Sequence, residues 1–315
     1  VGCRITIAGP RTYDGAVTAF TVRVPATSAN LGPGFDSLGL ALSLYDQVTA
    51  QVTDGATTVE VTGEGAQDLP LDEKHLIVQA MRETFGEIGE QPAGLRLSCV
   101  NAIPQARGAG SSSAAIVAGV ALANALSGSP LSKPQQLRIA GRIEGHPDNV
   151  APCLLGGFTI AWTSDSGARA VSTAMHRDIE LALLVPSGKG LTKEARAALP
   201  ATVPHADAAF NASRSALLVY AMTKDPSLLF EATEDRLHQD YRAPGMPESA
   251  ALMRALRAAG VAAVVSGAGP SVLALTKLPA NFVPENGWIH HTLAAETAGA
   301  SVLAGNISAT LGHAE

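Results

Sequence analysis

The chain has 315 residues, of which 46% are hydrophobic and 16% charged, a composition that excludes a disordered protein and fits a packed one of one or two domains. The formal net charge is −6 and no block of like charge occurs, which speaks against nucleic acid as a partner. Cys3, Cys99 and Cys153 give neither a disulfide framework nor a zinc spacing, and the longest apolar run, 114–126, is too short to cross a bilayer, so a cytoplasmic protein with no membrane partner is expected.

Residues 1–18 show no signal-peptide pattern and are set aside from the fold argument. FTVRV (20–24) alternates like a half-buried strand, and Pro25 with ATSANLGPGFDSLG then predicts a loop. Strands follow at 40–52 and 58–63, a helix at 69–89 stopped by Gly89, and a strand at 95–100. The run 111–126 is apolar on every face apart from Asn124, the pattern of a buried helix. A second helix is expected at 131–145, a loop at 146–157 and a strand from Phe158. The polar, small-residue stretch 163–178 reads as a boundary. Beyond it come a strand at 179–187, helices at 191–199, 205–223, 226–239 and 248–260, and a strand, glycine turn and strand over 262–276. Strands and helices mix without strict alternation, which predicts α+β rather than a doubly wound sheet.

The stretch PQARGAGSSSAA (104–115) places two glycines and three serines directly before the buried helix. A helix start leaves amide groups without partners and favours an anion, and glycine lets a phosphate approach the backbone. A flexible linker would have the same composition but would not feed a fully buried helix. The stretch is not a Walker A loop, because no Lys follows Gly110, nor a dinucleotide fingerprint, because the third glycine is missing.

It resembles the nucleotide motif of the GHMP kinases, with Ala109 in place of the usual Leu. PATSANLGPGFDSLG (25–39) resembles the first motif of that family and VSGAGPSVLAL (265–275) the third, in the same order. The resemblance implies two α+β domains. These are an N-terminal ATP-binding domain at 19–165 and a C-terminal ferredoxin-like domain at 166–315, with substrate between them. It also implies ATP as co-substrate and Mg2+ as cofactor. Pro104, Gln105, Ala106 and Arg107 would lead into the phosphate loop. Gly108, Ala109 and Gly110 would form its turn, and Ser111, Ser112, Ser113 and Ala114 would open the helix. Ser266, Gly267 and Gly269 would stand near the phosphates. Glu144 with Ser112 would face the metal, with Ser111 as an alternative.

Flanking segments EGHPDNVAP (144–152), KGLTKEARAALP (189–200) and DRLHQDYRAP (235–244) resemble the branch of the family that phosphorylates L-homoserine. That resemblance implies homoserine and ATP as partners and leaves room for a homodimer. Asn30, Asp36, His146, Asn149, Thr192, Arg196 and Arg242 would surround the amino acid. Arginine forks suit a carboxylate, and Asp36 suits an ammonium. Taken singly, Asn30 and Asp36 also fit a turn that bonds its own backbone, and the arginines fit solvated helix surfaces. Asp148 is the candidate base, with Asn149 the alternative occupant of the reacting position. Two other readings stay open. One is a kinase of another small alcohol, such as shikimate, mevalonate or a sugar. The other is a non-catalytic regulator on the same scaffold.

Overall fold

The computed structural model describes residues 19–283 and 287–305; residues 1–18, with Cys3, lie outside the described residues. The chain begins with strands β1 (Ala19–Ala29), β2 (Leu38–Thr53) and β3 (Thr58–Gly63), then helix α1 (Leu76–Ile88) and strand β4 (Gly94–Asn101). Helices α2 (Ser111–Leu126), α3 (Lys133–Glu144) and α4 (Pro147–Leu155) follow, and the hairpin β5 (Phe158–Ser164) and β6 (Gly167–Thr173) closes this part. The main path of the first sheet runs β11-β1-β2-β4-β3, where β11 is Ser301–Gly305, the last described strand of the chain. β2 is long enough to serve two partners on the edge away from β1. Leu38–Leu40 pair with β5, and Gln47–Thr53 pair with β4. α2 is buried from Ser113 to Leu126 apart from the partly covered Ala115, and it packs against α1, α3, α4 and β1.

The second part holds β7 (Leu181–Pro186), α5 (Thr192–Ala197), α6 (His205–Thr223), α7 (Leu229–Ala232), α8 (Gln239–Arg242), α9 (Pro247–Ala258), β8 (Ala263–Val265), β9 (Val272–Ala274) and β10 (Trp288–Leu293). Its sheet has the order β10-β7-β9-β8, antiparallel throughout. In chain order this is fourth, first, third, second, as a ferredoxin-like arrangement requires. Among the described residues no helix lies between β9 and β10. The architecture is α+β.

Several elements differ from the sequence-based expectation, each for a physical reason. β1 does not stop at Pro25 but runs to Ala29, because the register shifts between Pro25 and Ala26 and the missing N–H falls at a bulge. The helix expected from 69 starts only at Leu76; turns occupy 65–75, and His75 caps α1 with Nδ1 accepting from the Ile77 amide. The expected loop 146–157 is largely helix α4. Pro147 stands in its first turn, where a proline costs no hydrogen bond, and the apolar face of Val150, Ala151 and Leu154 is buried. The polar stretch 163–178 contains β6, whose side chains are mostly exposed at a sheet edge. The helix expected over 226–239 breaks after Ala232.

Asn124 shows why a polar residue interrupts the most apolar helix. It is 6% exposed, and its side chain accepts from Leu131 N at 2.8 Å and donates to Leu131 O at 3.2 Å. It thereby pins the connection from α2 to α3. Asn124→Ala leaves a buried amide unpaired and should lower stability by about 1–3 kcal/mol, read by urea denaturation, with kinetic constants unchanged.

Candidate active site

The three motif loops meet in one cleft of about 290 Å3. The glycine–serine loop is clasped on two sides. Thr27 N donates to Ala109 O at 3.0 Å from β1, and Ser266 Oγ donates to Gly108 O at 2.6 Å from the 266–270 turn. Ser271 N donates to Arg107 O at 3.1 Å, and Gly190 N to Ala106 O at 2.8 Å. Gly108 and Gly110 have φ of 76° and 72°, the left-handed region. Space also forbids a larger residue. A Cβ on Gly108 would lie 2.3 Å from Ser266 O, and one on Gly110 would lie 2.0 Å from Thr27 Oγ1.

Gly110 is the N-cap of α2 and offers no side chain to its first amides. The positive end of a 16-residue helix therefore faces the cleft with donors to spare. Ser111 and Ser112 line the cleft there, and Glu144 stands opposite. Glu144 Oε1 accepts from Ser112 Oγ and Ser113 Oγ, each at 2.8 Å. One carboxylate and one cleft-facing hydroxyl beside a phosphate site form a donor set that fits Mg2+, which shares phosphate oxygens and keeps waters. Among the described residues no cluster of three or more His, Cys, Asp or Glu forms a closed metal site.

Gln105, Ala106, Arg107, Gly108, Gly110, Ala114, Gly267 and Gly269 also line the cleft. Pro104, Ala109, Ser113 and Ser266 are buried behind the wall and hold it. The cleft has an apolar portion formed by Val24, Val48, Leu69, Leu76 and Ile77. Three polar residues that the motifs did not mark stand in the same wall: Asp46, His75 and Asn101. Burial raises the Asp46 pKa to about 6 although the amides of Ile103 and Ala102 donate to it. His75 is 3% exposed and its Nε2 has no partner. Burial lowers its pKa, so the ring is neutral, with Nδ1 accepting from Ile77 and the proton on Nε2.

Asn30, His146, Asp148, Asn149, Thr192, Arg196 and Arg242 line the same cleft. Asn30 is 4% exposed and ties two motifs together, donating to Gly267 O at 2.8 Å and accepting from Asp36 N at 2.9 Å. Asn149 Oδ1 accepts from Thr27 Oγ1 at 2.7 Å. Asp36 does not line the cleft. Its carboxylate holds Arg196 in a two-point pair, at 2.6 and 3.0 Å. Arg242 is held by neutral acceptors: Ala195 O at 3.1 Å, His238 Nδ1 at 3.2 Å and Gly267 O at 3.3 Å. His238, another residue the motifs did not mark, bonds Gly32 O through Nε2 at 2.8 Å. Burial lowers its pKa and keeps Nδ1 free to accept from the arginine.

The model of the GHMP kinases N terminal domain matches residues 75–157, and that of the GHMP kinases C terminal matches 217–285. A homoserine kinase of Streptomyces avermitilis is 51% identical over 304 residues, covering 94% of this chain and 99% of that protein. The chain belongs to the homoserine kinases of the GHMP family. A homoserine kinase of Mycobacterium tuberculosis is 50% identical over 80% of this chain and 83% of its own. The crystal structure of homoserine kinase from Cytophaga hutchinsonii superimposes with a TM-score of 0.79 at 25% identity, over 93% of this chain and 100% of that one. Mevalonate diphosphate decarboxylase of Enterococcus faecalis, at 15% identity and a TM-score of 0.65 over 92% of this chain and 100% of that one, shares the fold alone. Among the described residues of this homoserine kinase family member, no helix is long and apolar enough to cross a membrane.

His146 and Asp148 form a close pair, Nδ1 to Oδ1 at 2.7 Å, with Asp148 1% exposed. Burial opposes the imidazolium, but the hydrogen bond and charge of Asp148, with Glu144 adding, raise the His146 pKa above its ordinary value of 6.5. Asp148→Asn removes the chief favourable partner. The His146 ring should then titrate at lower pH than in the wild type, measured by proton NMR of the imidazole; an unmoved midpoint would contradict the pair.

Proposed function

We infer that this enzyme transfers the γ-phosphoryl group of ATP to the side-chain hydroxyl of L-homoserine, giving O-phospho-L-homoserine, a step of threonine biosynthesis. The observation that carries this reading is that Arg196 and Arg242 line the same cleft as the α2 N-terminus, with Asp36 paired to Arg196. Two guanidiniums and one carboxylate complement an amino acid, and a neutral sugar has no use for them. The scaffold is catalytic rather than regulatory in this reading, because Ser112 and Glu144 stand together at the phosphate end.

In this reading the triphosphate lies on the first-turn amides of α2, the hydroxyls of Ser111 and Ser112, and the backbone at Gly267 and Gly269. The base occupies the apolar portion, where the Nε2–H of His75 is the unpaired donor for a ring nitrogen. Glu144 and Ser112 would hold Mg2+, which neutralises phosphate charge when bound. Arg196 and Arg242 fix the carboxylate, Asp36 the ammonium, and Asn30, Thr192 and Asn149 the orientation of the chain. Positioning of this kind is the main demand of a loose phosphoryl-transfer transition state. Asp148 is 1% exposed and committed to the His146 ring at 2.7 Å, and a carboxylate held in that pair is not free to take a proton. The proton of the hydroxyl therefore leaves to the transferred phosphoryl group, with Asn149 orienting the nucleophile.

The decisive experiment compares kcat/KM for L-homoserine, shikimate, mevalonate and galactose. L-Homoserine should give the highest value, and a higher one for any other alcohol defeats the assignment. Glu144→Gln keeps an acceptor for both serine hydroxyls but removes the charge. It should lower kcat by about 100-fold or more and shift the Mg2+ dependence to higher concentration, in assays with Mg2+ varied. Unchanged turnover and Mg2+ response would remove Glu144 from the metal.

A further inference from the structure

At the amino-acid end of the cleft Arg196 and Arg242 stand with the His146–Asp148 pair, and Asp36 adjoins Arg196; the two arginines are unequally matched. Arg196 is paired with Asp36 through both guanidinium nitrogens. Arg242 is 3% exposed, yet among the described residues no carboxylate lies within 4.0 Å of it. Its partners are two carbonyls and the neutral His238. A guanidinium buried without a counter-charge is costly. Both arginines converge on one aromatic ring, with the Arg196 and Arg242 guanidinium carbons 5.7 and 5.3 Å from the Phe35 centroid. Asp36 does not itself line the cleft.

We propose that the Asp36–Arg196 pair is the resting form of a charge exchange that makes the site selective for zwitterions. The ligand carboxylate goes to the unmatched Arg242 and draws Arg196 off Asp36, and the bared Asp36 then takes the ligand ammonium. This deepens the homoserine reading and rests on it. Every cation then has an anionic neighbour: both guanidiniums share the ligand carboxylate, and the ammonium has Asp36. The ligand is neutral overall, so the surplus of one cation in this group is unchanged. The exchange is cheap at the protein's side. The side chains of the pair are 37% and 36% exposed, a setting in which ion pairs contribute little. Arg196 rides on the six-residue α5, which has no buried residue, so it can swing without unpacking a core. Asp36 stays put, because its N–H is held by Asn30 and its φ is 54° in a tight turn.

The exchange makes the two ends of the ligand unequal. A carboxylate alone can settle on Arg242 with the pair intact. An ammonium alone must take Asp36 from Arg196 and leaves a second arginine unmatched. Isothermal titration calorimetry without nucleotide tests this with L-homoserine, 4-hydroxybutyrate and 3-amino-1-propanol. The wild type should bind L-homoserine best and 3-amino-1-propanol at least about tenfold more weakly than 4-hydroxybutyrate. Asp36→Asn, tolerated at positive φ, frees Arg196. It should bind 4-hydroxybutyrate several-fold more tightly than the wild type does while losing affinity for L-homoserine. Arg196→Met frees Asp36 and should tighten 3-amino-1-propanol, an independent reading if the first variant folds poorly. If the folded wild type does not bind L-homoserine, the substrate assignment fails and the exchange with it. If it binds L-homoserine but neither variant strengthens its analogue, the exchange alone is overturned.

Discussion

The site depends first on how the loop 106–110 is clasped. Its carbonyls accept from Thr27 N, Ser266 Oγ, Ser271 N and Gly190 N, three backbone amides and one hydroxyl of the neighbouring segments. The first sheet supplies Thr27, and the turn between β8 and β9 of the second sheet supplies Ser266 and Ser271. Asn30 completes the clasp by bonding Gly267 O. The loop thus bonds to both sheets, and its left-handed glycines are the condition for that approach. With the loop fixed, the amides of α2 point into the cleft, and a helix whose body is buried cannot turn away from it.

Charge is arranged along the cleft in opposition to the chain as a whole. The protein carries a formal −6, yet its cleft is lined by a helix N-terminus and by Arg196 and Arg242. The acidic groups of the site are each committed. Glu144 holds two serines, Asp148 holds His146 and Asp36 holds Arg196. Arg242 is the exception, kept in place by neutral acceptors alone. That demands an uncharged His238, and burial of the ring provides it. An imidazolium at this position would face the guanidinium with like charge and withdraw the acceptor. Folding and substrate recognition therefore share the same buried group.

Buried polar residues in this protein mark junctions. Asn124 ties α2 to the start of α3, Asp46 ties β2 to the segment that enters the phosphate loop, and His75 starts α1 while leaving one nitrogen open to the cleft. In each case the polar atom meets backbone at the end of an element, where the chain would otherwise leave groups unpaired. The open His75 nitrogen departs from this rule, and it does so where a ligand would complete it.

Local sequence was enough for the buried helix 111–126, the glycine–serine loop that opens it, the strands 40–52 and 58–63, and the glycine turn after Val265. In these segments hydrophobic period and turn chemistry agree, so neighbours in the chain decide the conformation. The motif spacings also named the residues that line the cleft from Asn30 to Arg242. The sequence misled at 146–157, where the prolines suggested a loop although the buried face of α4 makes a helix. It misled again at Pro25, where pairing with β2 carries the strand on. It did not reveal Asp46 or His238, and it pointed to the residues around His75 to Val78 without placing them, because each of these polar residues takes its role from being buried beside a cleft or an arginine far away in the chain. Nor could it show that Asp36 and Arg196, 160 positions apart, face each other before any ligand does. Which charges meet is decided by the packing of two sheets around one loop, and no local pattern encodes that distance.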